Sequence, residues 1–199
     1  MFTGIIETTA IVKNIIKDKS NIIFTLNTVL AQELKVDQSV SHNGVCLTVT
    51  KILQNAYQVT AIEETLQKTS LGNWKIGSII NLERCMHANG RLDGHIVQGH
   101  VDTIGKCMNI EDKNGSWLIS ISYQNDAYFT VEKGSICLNG ISLTVVESFE
   151  KGFSVAIIPY TFENTNLKQL HVGEFVNLEF DIIGKYIAKI AARSALGLH

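Results

Sequence analysis

Ser39-Val-Ser-His-Asn-Gly-Val-Cys-Leu-Thr-Val49 returns later in the chain as Ser135-Ile-Cys-Leu-Asn-Gly-Ile-Ser-Leu-Thr-Val145, an offset of 96 residues. The same register carries on: Thr65-Leu-Gln-Lys-Thr-Ser-Leu71 aligns with Thr161-Phe-Glu-Asn-Thr-Asn-Leu167, and Gly77-Ser-Ile-Ile-Asn-Leu-Glu83 with Gly173-Glu-Phe-Val-Asn-Leu-Glu179. Residues 39–83 and 135–179 share 15 identities in 45 positions, where unrelated segments of ordinary composition share roughly three. The chain is therefore one unit written twice. A period of this length is too long for a solenoid repeat, so each copy is expected to fold as a compact domain with its own core.

Within a copy the signals are mostly strand. Thr8–Val12, Ile22–Leu26, Cys46–Ile52, Tyr57–Ile62 and Ile79–Glu83 are β-branched runs set between turn residues. Asn43-Gly44 and Asn139-Gly140 suit two-residue type I′ hairpin turns, in which both central residues need positive φ. Only Glu63–Ser70 and its counterpart read as a short helix. The expected architecture is mainly β: two tandem six-stranded antiparallel Greek-key barrels, closure removing the open edges that invite aggregation, plus a C-terminal amphipathic helix. Turn residues concentrate in Ala88–Gly94, which gives an N-terminal unit over residues 1–90, a C-terminal unit over 91–184 and a helical tail over 185–199. In the tail, Ile183, Tyr186, Ile187, Ile190, Ala191 and Ser194 recur at helical spacing, with Lys185, Lys189 and Arg193 on the opposite face. Two readings of that helix stand: it packs on its own barrel, or it assembles subunits.

The 199 residues suffice for two domains of this size, each able to bury a core. With 45% hydrophobic and 18% charged residues the chain is globular, not disordered. A net charge of -2, with the basic residues scattered, gives no field that would attract a phosphate backbone or anionic lipid, so nucleic acid is excluded as the expected partner. The opening MFTGII lacks a basic region and a long apolar run, and no stretch approaches about 18 uninterrupted apolar residues, so no membrane span is expected and the cytoplasm is the default compartment. Cys46, Cys85, Cys107 and Cys137 show no CxxC spacing; each reads first as a small buried hydrophobe.

No dinucleotide or phosphate-binding glycine motif and no paired zinc-ligand spacing occurs, so neither cofactor nor metal is expected and chemistry must come from the substrate and ordinary side chains. The informative positions are those where the two copies have diverged. At an offset of 96, Cys46 opposes Ser142, Gly4 opposes His100, and Cys85 opposes Asp181. His95 and His100 lie five apart, too few groups for a metal site. Thr48 and Thr144 read equally as β-formers on an alternating strand or as polar walls of a pocket beside Cys46 and Ser142.

Three motifs together, Met1-Phe-Thr-Gly-Ile5, the paired Asn-Gly-x-x-Leu-Thr-Val segments and Gly94-His-Ile-Val-Gln-Gly-His100, make the chain resemble the α-type riboflavin synthase family over its whole length. The resemblance implies a homotrimer of two-barrel subunits held by the tail helix, each barrel binding 6,7-dimethyl-8-ribityllumazine, with the active site between the N-terminal barrel of one subunit and the C-terminal barrel of another. One lumazine would donate a four-carbon unit to the other, giving riboflavin and 5-amino-6-ribitylaminouracil. The family's catalytic positions map to Cys46, His100, Ser142 and Asp181. Its substrate-binding positions map to Phe2, Gly4, Ser39, Thr48, Ile62, Thr65 and Val101, and in the second copy to Thr144, Ile158 and Thr161. A position beside the first Asn-Gly turn that often carries a second cysteine is Val45 here. Two other functions fit a duplicated barrel: a non-catalytic lumazine- or flavin-binding protein, which should have lost polar residues from one copy, and a reductase-type flavin barrel, which should be followed by a nicotinamide-binding βαβ region. Both copies keep their polar residues, and no such region follows.

Overall fold

In a computed structural model, which describes residues 1–124 and 127–195, the chain forms two closed antiparallel barrels of six strands each, followed by a helix. The first barrel contains β1 (Thr8–Asp18), β2 (Asn21–Asn27), β3 (Ser39–His42), β4 (Val45–Ile52), β5 (Ala56–Ala61) and β6 (Ile79–Arg84), closed in the order β1-β2-β5-β4-β3-β6. A single-turn helix α1 (Glu63–Lys68) follows β5. The second barrel repeats this with β7 (Thr103–Asp112), β8 (Trp117–Tyr123), β9 (Ser135–Leu138), β10 (Ile141–Phe149), β11 (Gly152–Ile157), α2 (Pro159–Asn164) and β12 (Phe175–Phe180) in the matching cyclic order. The tail is α3 (Ile182–Ala195); residues 196–199 of the tail expected from the sequence lie outside the described residues.

Each barrel is filled by its own inward-facing residues. Phe24, Leu26, Val40, Val49, Tyr57, Ile80 and Leu82 are buried in the first, and Ile119, Ile121, Ile136, Leu138, Phe153, Val155 and Leu178 in the second. Each such side chain contributes roughly 1.5–3 kcal/mol by leaving water, enough to fix the strand register, because a one-residue slip would turn every one of them outward.

The two barrels meet about a local twofold axis through the Asn-Gly turns. Asn43 and Gly44 have φ of 47° and 80°, Asn139 and Gly140 have 46° and 81°, the left-handed values the hairpin requires. Glycine is needed for a second reason: a Cβ on Gly44 would sit 2.9 Å from the Gly140 nitrogen. Around this contact a buried asparagine network locks the barrels together. Asn81 Nδ2 donates to Asn139 O (3.0 Å), Asn177 Nδ2 donates to Asn43 O (2.9 Å), and the side-chain oxygens accept from the backbone N–H of Asn166 and Ser70.

The repeat register is not uniform. The N–H of Glu7 donates to Leu82 O and that of Asp102 to Leu178 O, and the strand bulges follow Val12 and Cys107. Residues ahead of the β2–β3 connection therefore correspond at an offset of 95, and those from β3 onward at 96. This corrects the pairing expected from the sequence: Gly4 opposes Gly99, not His100, and His100 opposes Ile5.

For the tail helix, the structure speaks against one of the two readings and moves one lysine. Ile183, Tyr186, Ile187 and Ile190 are 57–64% exposed, so its apolar stripe does not pack on its own barrel. Lys185, expected on the solvated face, turns inward instead: its Nζ lies 2.8 Å and 2.9 Å from the Asp102 carboxylate oxygens, with side-chain exposures of only 15% and 11%. Such a shielded pair is screened less by solvent than an exposed one, and it pins the first helical turn to the second barrel.

Candidate functional site

Alternation along β4 turns Val45, Leu47 and Val49 into the core and leaves Cys46 and Thr48 on the outer face. Across the hairpin, Ser39 stands opposite Thr48 and Ser41 opposite Cys46. Thus Ser39, Cys46 and Thr48 share one polar patch outside the first barrel. Ile62, half exposed, and Thr65 follow β5, the other neighbour of β4. The second barrel copies this arrangement: Ser142 and Thr144 lie on the outer face of β10, Ser135 opposes Thr144 on β9, and Ile158 and Thr161 follow β11. The sequence-nominated residues form two patches, one per barrel.

The patches are completed by segments that cross between barrels. Phe2 and Val97 form an isolated antiparallel bridge, and both are buried in a small cluster with Cys137 that Cys46 adjoins. Gly4 O accepts from the N–H of Ser142, and Gly99 O accepts from the N–H of Cys46, each at 2.8 Å. Ile6 packs against the second core, and Val101 against the first. Phe2 and Gly4 therefore border the second patch or the contact between barrels, while Val101 supports the first. His100 is exposed, with its backbone N–H fixed to Glu179 (2.8 Å).

The two patches differ in chemistry. Cys46 is half buried, and burial raises its thiol above the ordinary value, partly offset by a hydrogen bond from Ser39; it stands as a thiol at neutral pH, not a ready thiolate. At the equivalent place Ser142 Oγ lies 2.6 Å from His95 Nδ1. His95 is 8% exposed, and burial depresses its protonation below the usual imidazole value, with the nearby Asp181 carboxylate opposing the shift. A neutral imidazole facing a hydroxyl is the pairing that general-base chemistry needs. Sequence reasoning favoured His100 and passed over His95; the available signal was the two histidines in Gly94-His-Ile-Val-Gln-Gly-His100. Asp181 also caps α3, its Oδ1 accepting from the Ile183 N–H at 2.9 Å, and it lines a cavity of about 270 Å³ with Ser135, Thr130 and Tyr128. A larger cleft of about 660 Å³, beside the Asn-Gly turns, holds none of the nominated residues. Among the described residues no three His, Cys, Asp or Glu side chains converge as metal ligands.

A model of the lumazine binding domain matches the chain twice, over residues 3–85 and 98–181. The riboflavin synthase of Actinobacillus pleuropneumoniae is 44% identical over 94% of this chain and 88% of its own length. The chain belongs to the riboflavin synthase family. The riboflavin synthases of Bacillus subtilis (37% identical, 94% of this chain and 88% of that one) and Saccharomyces cerevisiae (33%, 95% and 85%) extend the similarity from bacteria to yeast, so the chain is an enzyme of riboflavin biosynthesis, of transferase type. Among solved structures, LumP complexed with 6,7-dimethyl-8-(1'-D-ribityl) lumazine superposes with a TM-score of 0.83 at 21% identity, covering 90% of this chain and 99% of that one. LumP with riboflavin gives 0.83 at 22%, covering 90% and 98%. At that identity the LumP likeness speaks for the fold, whereas membership of the riboflavin synthase family rests on the closer relatives.

Proposed function

We infer that this chain is a riboflavin synthase that dismutates 6,7-dimethyl-8-ribityllumazine, one molecule giving a four-carbon unit to a second to form riboflavin and 5-amino-6-ribitylaminouracil. The observation that carries this is the 44% identity to a riboflavin synthase across 94% of the chain. The retention of polar residues in both copies agrees with it, since a lumazine-binding protein without turnover needs only one intact patch.

In this reading Ser39, Thr48, Ile62 and Thr65 hold one lumazine on the first barrel, with Val101 supporting that wall, while Gly4 borders the other patch and Phe2 lies at the contact between barrels. Thr144, Ile158 and Thr161 hold the other on the second barrel. A methyl group on the electron-poor lumazine ring loses a proton to give a delocalised carbanion; His100 and the His95–Ser142 pair are the bases placed to move it. Cys46, held as a thiol, donates a hydrogen bond to the acceptor ring, and Asp181 balances positive charge that develops beside it. No redox cofactor or metal enters. Much of the acceleration comes from stacking two oriented substrates, since orientation alone is worth roughly 7–11 kcal/mol of barrier.

Both patches face outward, and each offers one wall to a flat ring. A second subunit supplying the opposite wall fits a homotrimer with the site between an N-terminal and a C-terminal barrel, and the exposed apolar stripe of α3 fits the contact that holds it. The functional division that goes with this is residues 1–90 and 91–184 as the two lumazine-binding units and 185–199 as the assembly tail, working in the cytoplasm. No helix among the described residues is long and apolar enough to cross a membrane.

The test is to mix purified protein with 6,7-dimethyl-8-ribityllumazine alone and follow flavin absorbance. One riboflavin should appear for every two lumazines consumed. No flavin at high protein concentration would refute the reading.

A further inference from the structure

Glu83 and Glu179 occupy equivalent positions near the ends of β6 and β12, and both are almost fully buried, at 4% and 2% exposure. A carboxylate taken from water is tolerated only where donors replace the lost hydration. Here the donors are backbone N–H groups of two irregular segments. Glu83 accepts from Thr3 N (2.6 Å), Thr3 Oγ1 (2.8 Å) and Gly4 N (2.9 Å). Glu179 accepts from Gln98 N (2.6 Å), Gly99 N (2.9 Å) and His100 N (2.8 Å). Each segment is thereby shaped by the carboxylate of the barrel to which it is joined in sequence.

The other side of each segment faces the opposite barrel. Gly4, held by Glu83 of the first barrel, gives its carbonyl to the N–H of Ser142 in the second; Gly99, held by Glu179 of the second barrel, gives its carbonyl to the N–H of Cys46 in the first. The fit is close: a Cβ on Gly4 would lie 2.6 Å from Ser142 Cβ, and one on Gly99 would lie 2.6 Å from Cys46 Cβ. His100 itself hangs from the Glu179-bound segment.

We propose that Glu83 and Glu179 are positioning residues that act crosswise, each built into one barrel and setting the wall of the substrate pocket on the other. Glu179 places Gly99 and His100 against the Cys46 patch; Glu83 places Thr3 and Gly4 against the Ser142–His95 patch. Two pockets that differ in chemistry are thus each shaped from the other barrel of the same chain. This rests on the reading that Cys46 and Ser142 line substrate pockets.

The test uses Glu83→Gln and Glu179→Gln in the full chain. Each replaces one acceptor oxygen with an NH₂ group facing N–H donors, which cannot be satisfied. Backbone amide exchange by NMR should show the Cys46 amide exchanging at least tenfold faster in Glu179→Gln while Ser142 stays within threefold, with the reverse pattern in Glu83→Gln. Riboflavin titration should show one of two binding steps weakened at least tenfold in each variant and the other within threefold. Deprotection of the amide in the variant's own barrel, or equal deprotection of both, overturns the proposal. Should the glutamine variants not fold, Thr3→Val removes the Oγ1 bond to Glu83 and the longer one from the Ile5 N–H while sparing both backbone bonds to Glu83, and it decides the matter: faster exchange at Ser142 and not at Cys46 supports it, and no difference between the two overturns it. Exchange is read without substrate, so a crossed pattern in a protein that forms no flavin would sink the functional reading and leave the wiring intact.

Discussion

The His95–Ser142 pair makes a quantitative demand on mutants. The two atoms are 2.6 Å apart and shielded from water, and burial keeps the imidazole neutral. With the ring proton on Nε2, the Ser142 hydroxyl donates to Nδ1. General-base assistance of this kind is worth about 10²–10⁴ in rate, or about 2.7–5.4 kcal/mol at about 1.36 kcal/mol per decade. Ser142→Ala and His95→Gln should each lower kcat by about 10² or more. The double variant should lose hardly more than either single, because once one member is gone the other has nothing to act on. The coupling is then about 2.7 kcal/mol for singles of 10². Initial rates of flavin formation at saturating lumazine provide the assay, with ligand affinity measured separately by riboflavin titration so that a binding defect is not mistaken for a chemical one. Because burial depresses the His95 pKa, wild-type kcat should hold as pH falls through 6.5 and drop only below it. Losses that multiply in the double variant, or a His95→Gln enzyme within threefold of wild type, would show that the pair does not work as a unit.

Other perturbations probe the frame around the site. His42 is fully buried, its Nε2 2.7 Å from the Tyr57 hydroxyl, and burial lowers its pKa from 6.5 to about 4. Its protonation is therefore favoured in the unfolded chain, and stability falls as pH drops from about 6.5 toward 4, by about 2 kcal/mol between pH 7 and 5. Urea titrations across that range should show wild type losing about 2 kcal/mol more than His42→Gln; His95, lowered by burial, contributes with the same sign and Glu83 and Glu179, raised by burial, with the opposite one, and all three cancel in the comparison. Asn81→Ala strands the Asn139 carbonyl and the Asn166 N–H and should cost about 2–4 kcal/mol, seen as a melting temperature lower by about 5–10 °C; an unchanged midpoint would deny the network its role in joining the barrels. If α3 holds the proposed trimer, deleting Lys185–His199 should give smaller species with much less activity, and a fully active monomer in the ultracentrifuge would refute assembly through α3.

Where the sequence was legible, local chemistry carried the information. Asn-Gly between alternating runs specifies a hairpin because few other dipeptides accept two positive φ values, and once one hairpin is repeated with its flanking strands the second barrel follows. β1 was read only as far as Val12 because beyond the bulge its outer half is exposed and loses alternation, although the backbone pairing with β2 continues to Asp18. The change of register from 96 to 95 was hidden because the length difference falls between β2 and β3, where no identity marks it, so Gly4 was set against His100. Glu83 and Glu179 were visible as identities but not as buried anchors, since nothing local distinguishes a carboxylate on a solvated strand end from one that collects three donors from a distant segment.

The same limit hid what fixes the tail helix. In the first barrel Glu7 accepts from the Arg84 N–H and pairs with the Arg84 guanidinium. In the second, Asp102 accepts from the Phe180 N–H at the equivalent place, and the cation comes from Lys185, one turn into α3. The carboxylate was kept in both copies while its counter-charge moved onto the helix. A duplicated scaffold can thus retain the strand pairing of its parent and still acquire a new function for one end, here a helix held so that its apolar side stays open to solvent. The asymmetries that matter, Cys46 against Ser142–His95 and the counter-charge moved from Arg84 to Lys185, are built on a shared strand order. They are legible only after the frame has shown which residues are equivalent.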